Sequence, residues 1–420
     1  MSQPNPKTLL RASSIYGGGL AVNRVLDFAL LPLFTNYLDP GEYGAVTLTL
    51  TLLGFGHVVY AMGLGPAFLR YFAMHDEEHR RRMFLGGTLT LFVVALAFSA
   101  LMCGFAPVVG EWFGLGERRL LVDLAAGILF LDVLTLLPYS VLRSEGRAAT
   151  FVACTFFTTV VQVGLTAGLI LLAGMGGEAF FVAMVASSAL NVLIVTISVR
   201  RYVSFAGPIV LPRELLRFGL PFVPAGVATV AIELIDRVFL ERMMDAAAVG
   251  VYSAGYRVAA GMGLLVKAFE YAWAPYVLER RDQALRATAG AAAGFIGVAG
   301  LLWAGFILMG EEILGIRLFG KDLIGPAYRP GAVIIPPVMF AYILSGIAEV
   351  LMVGVYLKGR SWIVPVATLS AATVNIIGNL ILIPAYGMTG AAWATIVAYA
   401  VLVGVLYLYT RRVFIRAEKF

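Results

Sequence analysis

The chain has 420 residues, of which 60% are hydrophobic and 13% charged, and its mean hydropathy is +0.89. No soluble shell can cover that much apolar side chain, so a water-soluble globular protein is excluded and an all-α polytopic membrane protein is expected. The net charge of +6 would suit nucleic acid, but the basic residues sit in short breaks between apolar runs and read as topology signals instead.

Twelve apolar runs are long enough to cross the hydrocarbon core as helices: 9–38, 42–70, 84–110, 120–142, 149–173, 178–199, 217–241, 247–278, 288–309, 330–357, 361–384 and 387–410. The polar start leads into a first helix that carries Arg24 and Asp27, unlike the uniformly apolar core of a cleavable signal, so that helix is expected to remain. With the N-terminus placed in the cytoplasm, 21 of the 31 Lys and Arg fall in inside segments. Only six fall outside (Arg118, Arg119, Arg242, Arg317, Lys321 and Arg329). Both termini are therefore expected to be cytoplasmic, in a multi-pass protein of the inner membrane. The second helix ends in a mixed-charge loop, His75 to Arg82, that reads as solvated rather than metal-binding. Cys103 and Cys154 lie in apolar helices and read as packing residues.

The basic segment 200–217, with Pro208 and Pro212, separates six helices from six and divides the chain into lobes 1–205 and 206–420. Two internal repeats follow this division. Segment 9–44 is written again as 215–250: each copy opens Leu-Leu-Arg, crosses an apolar run and closes on an Asp followed five residues later by Gly. Each is weakened early, by Gly17 to Gly19 in the first copy and by Pro221 and Pro224 in the second. At a second offset, Glu145-Gly146-Arg147 pairs with Lys358-Gly359-Arg360, and the Gly-Met-X-Gly turn at Gly174 pairs with that at Gly387. An even number of helices per lobe makes the repeats parallel, and interrupted segments at matching positions point to a transport path. The external break 310–329 is too short for a folded catalytic domain.

The run Leu38-Asp39-Pro40-Gly41-Glu42-Tyr43-Gly44, then Gly63-Leu64-Gly65-Pro66-Ala67 and Arg70-Tyr71-Phe72, resembles the amino-terminal signature of the polysaccharide biosynthesis or Wzx-type oligosaccharide flippases. These belong to the multidrug/oligosaccharidyl-lipid/polysaccharide (MOP) exporter superfamily. Ile235-Asp236-Arg237, the segment Gly250-Val251-Tyr252-Ser253-Ala254-Gly255-Tyr256, and Asn375 to Asn379 with Ile383-Pro384-Ala385-Tyr386-Gly387 resemble the carboxyl-terminal half. The resemblance implies two six-helix lobes forming a V around a central cavity, a MATE-like fold. It also implies alternating access that moves a lipid-linked oligosaccharide to the outer leaflet for cell-surface polysaccharide synthesis. The implied partners are a polyprenyl-pyrophosphate-linked oligosaccharide, the bilayer, and a polysaccharide polymerase or glycosyltransferases. Neither a cofactor nor a metal is implied.

Such a substrate needs cations for its phosphates and polar or aromatic groups for its sugars, because bare transfer of the charged head costs on the order of tens of kcal/mol. The intramembrane cations are Arg24, Arg237, Arg257 and Lys267, each a candidate phosphate ligand. The alternative for three of them is a same-helix pair: Arg24 with Asp27, Arg237 with Glu233, Lys267 with Glu270. Asp132 and Glu349 have no basic residue within four positions, which makes them, with Asp27, the candidates for ion coupling. Asn23, Tyr60, Gln162, Tyr252, Tyr256, Trp273, Asn375 and Asn379 are candidate sugar-contacting residues, with helix packing as the alternative for each. Two other functions compete: a cation-coupled drug or metabolite exporter of the MATE type, and a membrane glycan polymerase. No P-loop is present to support nucleotide hydrolysis.

Overall fold

A computed structural model describes residues 6–72, 74–203, 213–279, 281–318, 320–358 and 362–417. The helices are α1 (Pro6–Tyr37), α2 (Pro40–Ala61), α3 (Leu64–Phe72), α4 (Glu77–Gly104), α5 (Ala106–Trp112), α6 (Arg119–Ser144), α7 (Ala148–Leu171) and α8 (Glu178–Ser198). They continue with α9 (Arg213–Gly219), α10 (Val223–Met243), α11 (Ala246–Ala259), α12 (Gly261–Glu279), α13 (Arg281–Leu314), α14 (Ile335–Leu351), α15 (Val353–Lys358) and α16 (Ile363–Ala417). A small antiparallel hairpin, Arg317–Leu318 with Lys321–Asp322, and a 3-10 helix, Pro326–Ile334, precede α14.

Among the described residues, nine helical segments are long and apolar enough to cross a membrane, and ten if Ala246–Ala259 and Gly261–Trp273, bent by 42°, form one span. One of the nine, Ile363–Arg411, is 49 residues long and breaks at Gly387 (φ 56°, ψ −135°). The sequence places the boundary between its last two runs there. Gly174, its counterpart in the second repeat, also has a positive φ of 66°. Both turns thus use a positive φ, which a glycine adopts without steric cost.

Two expectations need correction. The first repeat copy is not interrupted at its glycines: α1 runs unbroken through Gly17 to Gly19. A glycine weakens a helix by about 1 kcal/mol, which the rest of a long helix absorbs. Proline is more severe, and the second copy does break, into α9, a 3-10 turn at Leu220–Phe222, and α10. The second run forms one candidate span, Pro40–Phe72, but its helix is interrupted: α2 stops at Met62 (φ 47°) and Gly63 (φ 66°) before α3 begins.

The chain forms two compact units, one of residues 1–30 with 48–227 and one of residues 31–47 with 228–420. In the first, α6 is the central helix and packs on α3, α4, α7 and α8. Its buried face includes Ala125 and Ala126, small residues that let neighbouring helices approach closely in lipid, where no hydrophobic drive operates between them. In this unit α3 also packs on α9, with the backbones of Gly63 and Gly219 in contact.

In the second unit α14 is central, packed on α11, α12, α13 and α16. The segment 31–47 is fastened to it by hydrogen bonds: Asn36 Nδ2 donates to the Asp322 carbonyl at 2.8 Å, and the Tyr328 hydroxyl donates to the Leu38 carbonyl at 3.0 Å. Beside these, the starts of α2 and α11 cross backbone to backbone. A Cβ on Gly44 would strike the Ala246 carbonyl, and one on Gly250 would strike the Pro40 carbonyl. Pro40 and Gly44 are the repeat equivalents of Ala246 and Gly250, at one offset of 206 positions. The contact is therefore reciprocal, as at a two-fold axis, and gives the first repeat a geometric basis.

Candidate functional site

Each unit carries a polar centre. In the first, His57 of α2 lies with its Nε2 3.0 Å from Asp132 Oδ2 on α6. Ser188 of α8 donates to Asp132 Oδ1 at 2.6 Å. The paired serines Ser187 and Ser188, both buried, allow α8 to approach α6 this closely. The pair is not sealed: the His57 side chain is 42% exposed and that of Asp132 23%. One turn along, Tyr60 shares a hydrogen bond with Ser99 of α4 at 3.2 Å. Further along the α6–α8 seam, Tyr139 donates to Asn191 Oδ1 at 2.6 Å.

The seam ends in a clasp outside the spans. Glu145 accepts hydrogen bonds from Arg201, from the Tyr202 hydroxyl at 2.7 Å and from Arg147 at 3.4 Å, and Arg147 also donates to the Ser198 carbonyl at 2.9 Å. Burial pushes the Glu145 carboxyl up, but the donors from Arg201, Tyr202 and Arg147 outweigh it and hold the group below the usual carboxylate range. Burial and the same carboxylate push the Tyr202 hydroxyl up.

In the second unit, Asp236 and Arg237 of α10 are 1% and 8% exposed and form an ion pair at 2.9 Å. Asp236 also accepts from the Tyr252 hydroxyl of α11 at 2.5 Å, while Arg237 donates to the Glu233 carbonyl at 2.6 Å. The Arg237 guanidinium lies 4.5 Å from the centre of the Tyr256 ring. Arg237 is thus paired with its neighbour in sequence, and of Glu233 it takes the backbone carbonyl. On α12, Lys267 pairs with Glu270 at 2.7 Å, as its spacing predicts, and Glu349 of α14 lies within electrostatic range of both.

Arg257 sits on the last turn of α11, just before the 42° bend into α12. It is half-buried, with Nη1 3.5 Å from the Tyr43 hydroxyl and its guanidinium 5.9 Å from the Phe34 ring centre. The side chains of Arg24 and Asp27 lie outside the described residues.

Among the sugar candidates, Asn375 and Asn379 are fully buried and bonded to each other, Asn379 Nδ2 donating to Asn375 Oδ1 at 3.0 Å. Trp273 is stacked between Phe269 and Tyr276 and donates to the Val350 carbonyl at 3.4 Å. Tyr60, Tyr252 and Tyr256 are buried as well, which leaves Asn23 and Gln162 as the half-buried members of the set. The residue that sequence reasoning missed is His57. Its signal was present, a lone histidine in the middle of an apolar run, but only the structure shows the carboxylate opposite it.

Residues 34–316 match the family model for polysaccharide biosynthesis proteins. The chain belongs to that family. Solved structures similar to this polysaccharide biosynthesis protein include the lipid II flippase MurJ in an inward closed conformation, with a TM-score of 0.78 at 16% identity, covering 94% of this chain and 87% of that one. An inward-facing multidrug resistance MATE transporter of the MOP superfamily gives 0.72 at 15% identity over 94% and 96%. A mutant of the Vibrio cholerae MATE transporter VcmN gives 0.68 at 13% identity over 97% and 96%. No curated protein matches the sequence. The fold of this family member is accordingly the all-helical, multi-pass membrane fold of MurJ and the MATE transporters.

Proposed function

We propose that the protein is a flippase that moves a lipid-linked, polyprenyl-pyrophosphate oligosaccharide from the cytoplasmic to the outer leaflet of the inner membrane by alternating access. The observation that carries this reading is ionisable side chains left partly exposed in mid-span, Arg257 above all, in a member of a polysaccharide biosynthesis family. A charge at the centre of a bilayer is costly unless it faces a polar path, so such residues mark where a charged cargo travels. In this reading Arg257 grips phosphate oxygens, and its neighbours Tyr43 and Phe34 steer the guanidinium. Arg24 on α1 is the second candidate phosphate ligand. Arg237 supports the fold through its own acid, whereas Lys267, 64% exposed beside Glu270, stays a third candidate phosphate ligand. Asn23 and Gln162 are the amides best exposed for sugar hydroxyls. The lobes 1–205 and 206–420 are the bodies that move, both termini are cytoplasmic, and Asp132, Glu349 and Asp27 are the sites at which an ion could drive the cycle. A polysaccharide polymerase or glycosyltransferases would act on the product.

The likeness to MATE transporters favours one second reading, a cation-coupled exporter of a drug or metabolite. Reconstitution separates the two: the flippase reading requires leaflet transfer of a polyprenyl-pyrophosphate oligosaccharide above protein-free vesicles. Efflux of an organic cation with no such transfer selects the exporter.

A further inference from the structure

We propose that His57, Asp132 and Ser188 form the site that binds and releases a coupling proton, which makes the transporter a proton-driven one. The proposal rests on the transport reading and names its ion. The three residues come from three helices, and each lies midway along its span: Pro40–Phe72, Arg119–Ser144 and Glu178–Ser198. An ionisable pair at that depth with both members partly exposed is tolerated only where it faces water, since lipid would not solvate it.

The hydrogen-bond chemistry fixes where the proton sits. An ionised carboxylate only accepts, so the group facing each Asp132 oxygen must donate: the Ser188 hydroxyl to Oδ1 and an N–H on His57 Nε2 to Oδ2. With Nε2 committed as a donor, the lone pair of a neutral His57 is on Nδ1, the atom that takes up the proton. The same two hydrogen bonds hold in both states, so the site is loaded and emptied without being dismantled. Loading changes its net charge from −1 to neutral.

Among the described residues, the other titratable groups on the helices around the pair lie at different depths. Nearest to its level are Tyr60 on the same helix, held by Ser99; Tyr139 on α6, held by Asn191; Cys103 near the end of α4; and Asp123 near the start of α6. The remaining charged or titratable residues of these helices stand at helix ends: Glu42 and Tyr43 on α2, Glu77 to Arg82 on α4, Arg119 and Arg143 on α6, and Glu178 on α8. Two features connect the site to the rest of the unit. Further along the α6–α8 seam stand the Tyr139–Asn191 pair and, at its end, the cluster of Ser198, Arg147 and Glu145. His57 also lies one turn before the break at Met62 and Gly63, beyond which α3 packs on α9. A change in the α2–α6 contact is therefore placed to alter the angle at that break.

The test uses the full chain in two assays. The first counts protons taken up per chain in detergent on stepping from about pH 8 to about pH 5, the window in which histidine changes charge. His57→Gln is expected to take up about one proton fewer than wild type. The second measures leaflet transfer of a polyprenyl-pyrophosphate oligosaccharide in vesicles with the voltage clamped, as the ratio of transfer with a pH gradient to transfer without. One coupled proton predicts a wild-type steady-state distribution that shifts about tenfold per pH unit. In His57→Gln, and in the isosteric Asp132→Asn, that ratio falls to one. An unchanged proton count in His57→Gln, or a gradient response that survives in either variant, overturns the site. Wild-type transfer that ignores the gradient also overturns it, while leaving the flippase reading intact. Conversely, the loss of one proton in His57→Gln, with no transfer by wild type, upholds proton binding and removes the lipid-linked substrate.

Discussion

The two polar centres contain the same kinds of residue and are built to opposite ends. Asp236 and Arg237 sit in one aromatic enclosure, with Tyr252 on the carboxylate and Tyr256 under the guanidinium, and both are almost completely buried. His57 and Asp132 reach each other from different helices and stay partly exposed. On the proposed function, a sealed pair of adjacent residues, with no route for a proton or a phosphate in this structure, serves packing. An open pair between helices can change state, and its geometry changes with the helices that carry it. The comparison teaches that an intramembrane charge is not in itself a functional site; what decides is whether solvent reaches it.

The largest expected effect breaks the sealed centre. Arg237→Met leaves Asp236 buried without its cation and should cost about 3–5 kcal/mol, visible as a large drop in the thermal unfolding temperature in detergent. Stability close to wild type would mean that the centre is open to water. Next comes the reciprocal crossing in the second unit: Gly250→Val drives a side chain into the Pro40 carbonyl and should cost about 1–3 kcal/mol. Gly44→Val should cost a similar amount if the two contacts are equivalent; a difference of several-fold would deny the two-fold relation. Asp132→Asn keeps the shape, and its amide N–H can donate to His57 Nε2 once the imidazole changes tautomer, so it should change stability by no more than about 1 kcal/mol, read from the same melting curves, and its effect appears in transport instead.

The smallest effect concerns the clasp. Glu145 has a lowered carboxyl in the folded protein, so its contribution is present above the ordinary glutamate value of about 4.3. It is lost as pH falls through the lower, folded value. Because Arg201 is more than half exposed, the contribution is small, at most about 1 kcal/mol. Melting curves of Glu145→Gln should approach those of wild type as pH falls from about 5 to about 3, and an unchanged gap would contradict the assignment.

The helical, membrane-spanning character of the chain was legible because apolar runs of that length have one use, though the twelve runs appear as nine or ten candidate spans among the described residues; the offset of 206 positions that pairs Gly44 with Gly250 reappears as a reciprocal contact. The pairing of Lys267 with Glu270 was legible too, since helix spacing alone brings them together. What could not be read was which long-range partner each polar group meets. His57 meets Asp132 across 75 positions, and Arg237 prefers its immediate neighbour over the residue one turn away. The break at Met62 and Gly63 was hidden because the apolar run continues through it. The unbroken α1 shows the reverse error, three glycines that weaken a helix without ending it.

Leaflet transfer of a defined polyprenyl-pyrophosphate oligosaccharide by the reconstituted protein, wild type beside Arg257→Ala, decides whether Arg257 carries a lipid-linked cargo across the membrane. Removing one hydrogen bond to a charged group costs about 1.5–3 kcal/mol, so the account predicts transfer by wild type and a loss of about 10- to 100-fold in the variant at unchanged melting temperature. Transfer by wild type no faster than in protein-free vesicles, or an Arg257→Ala protein as active as wild type, would contradict it.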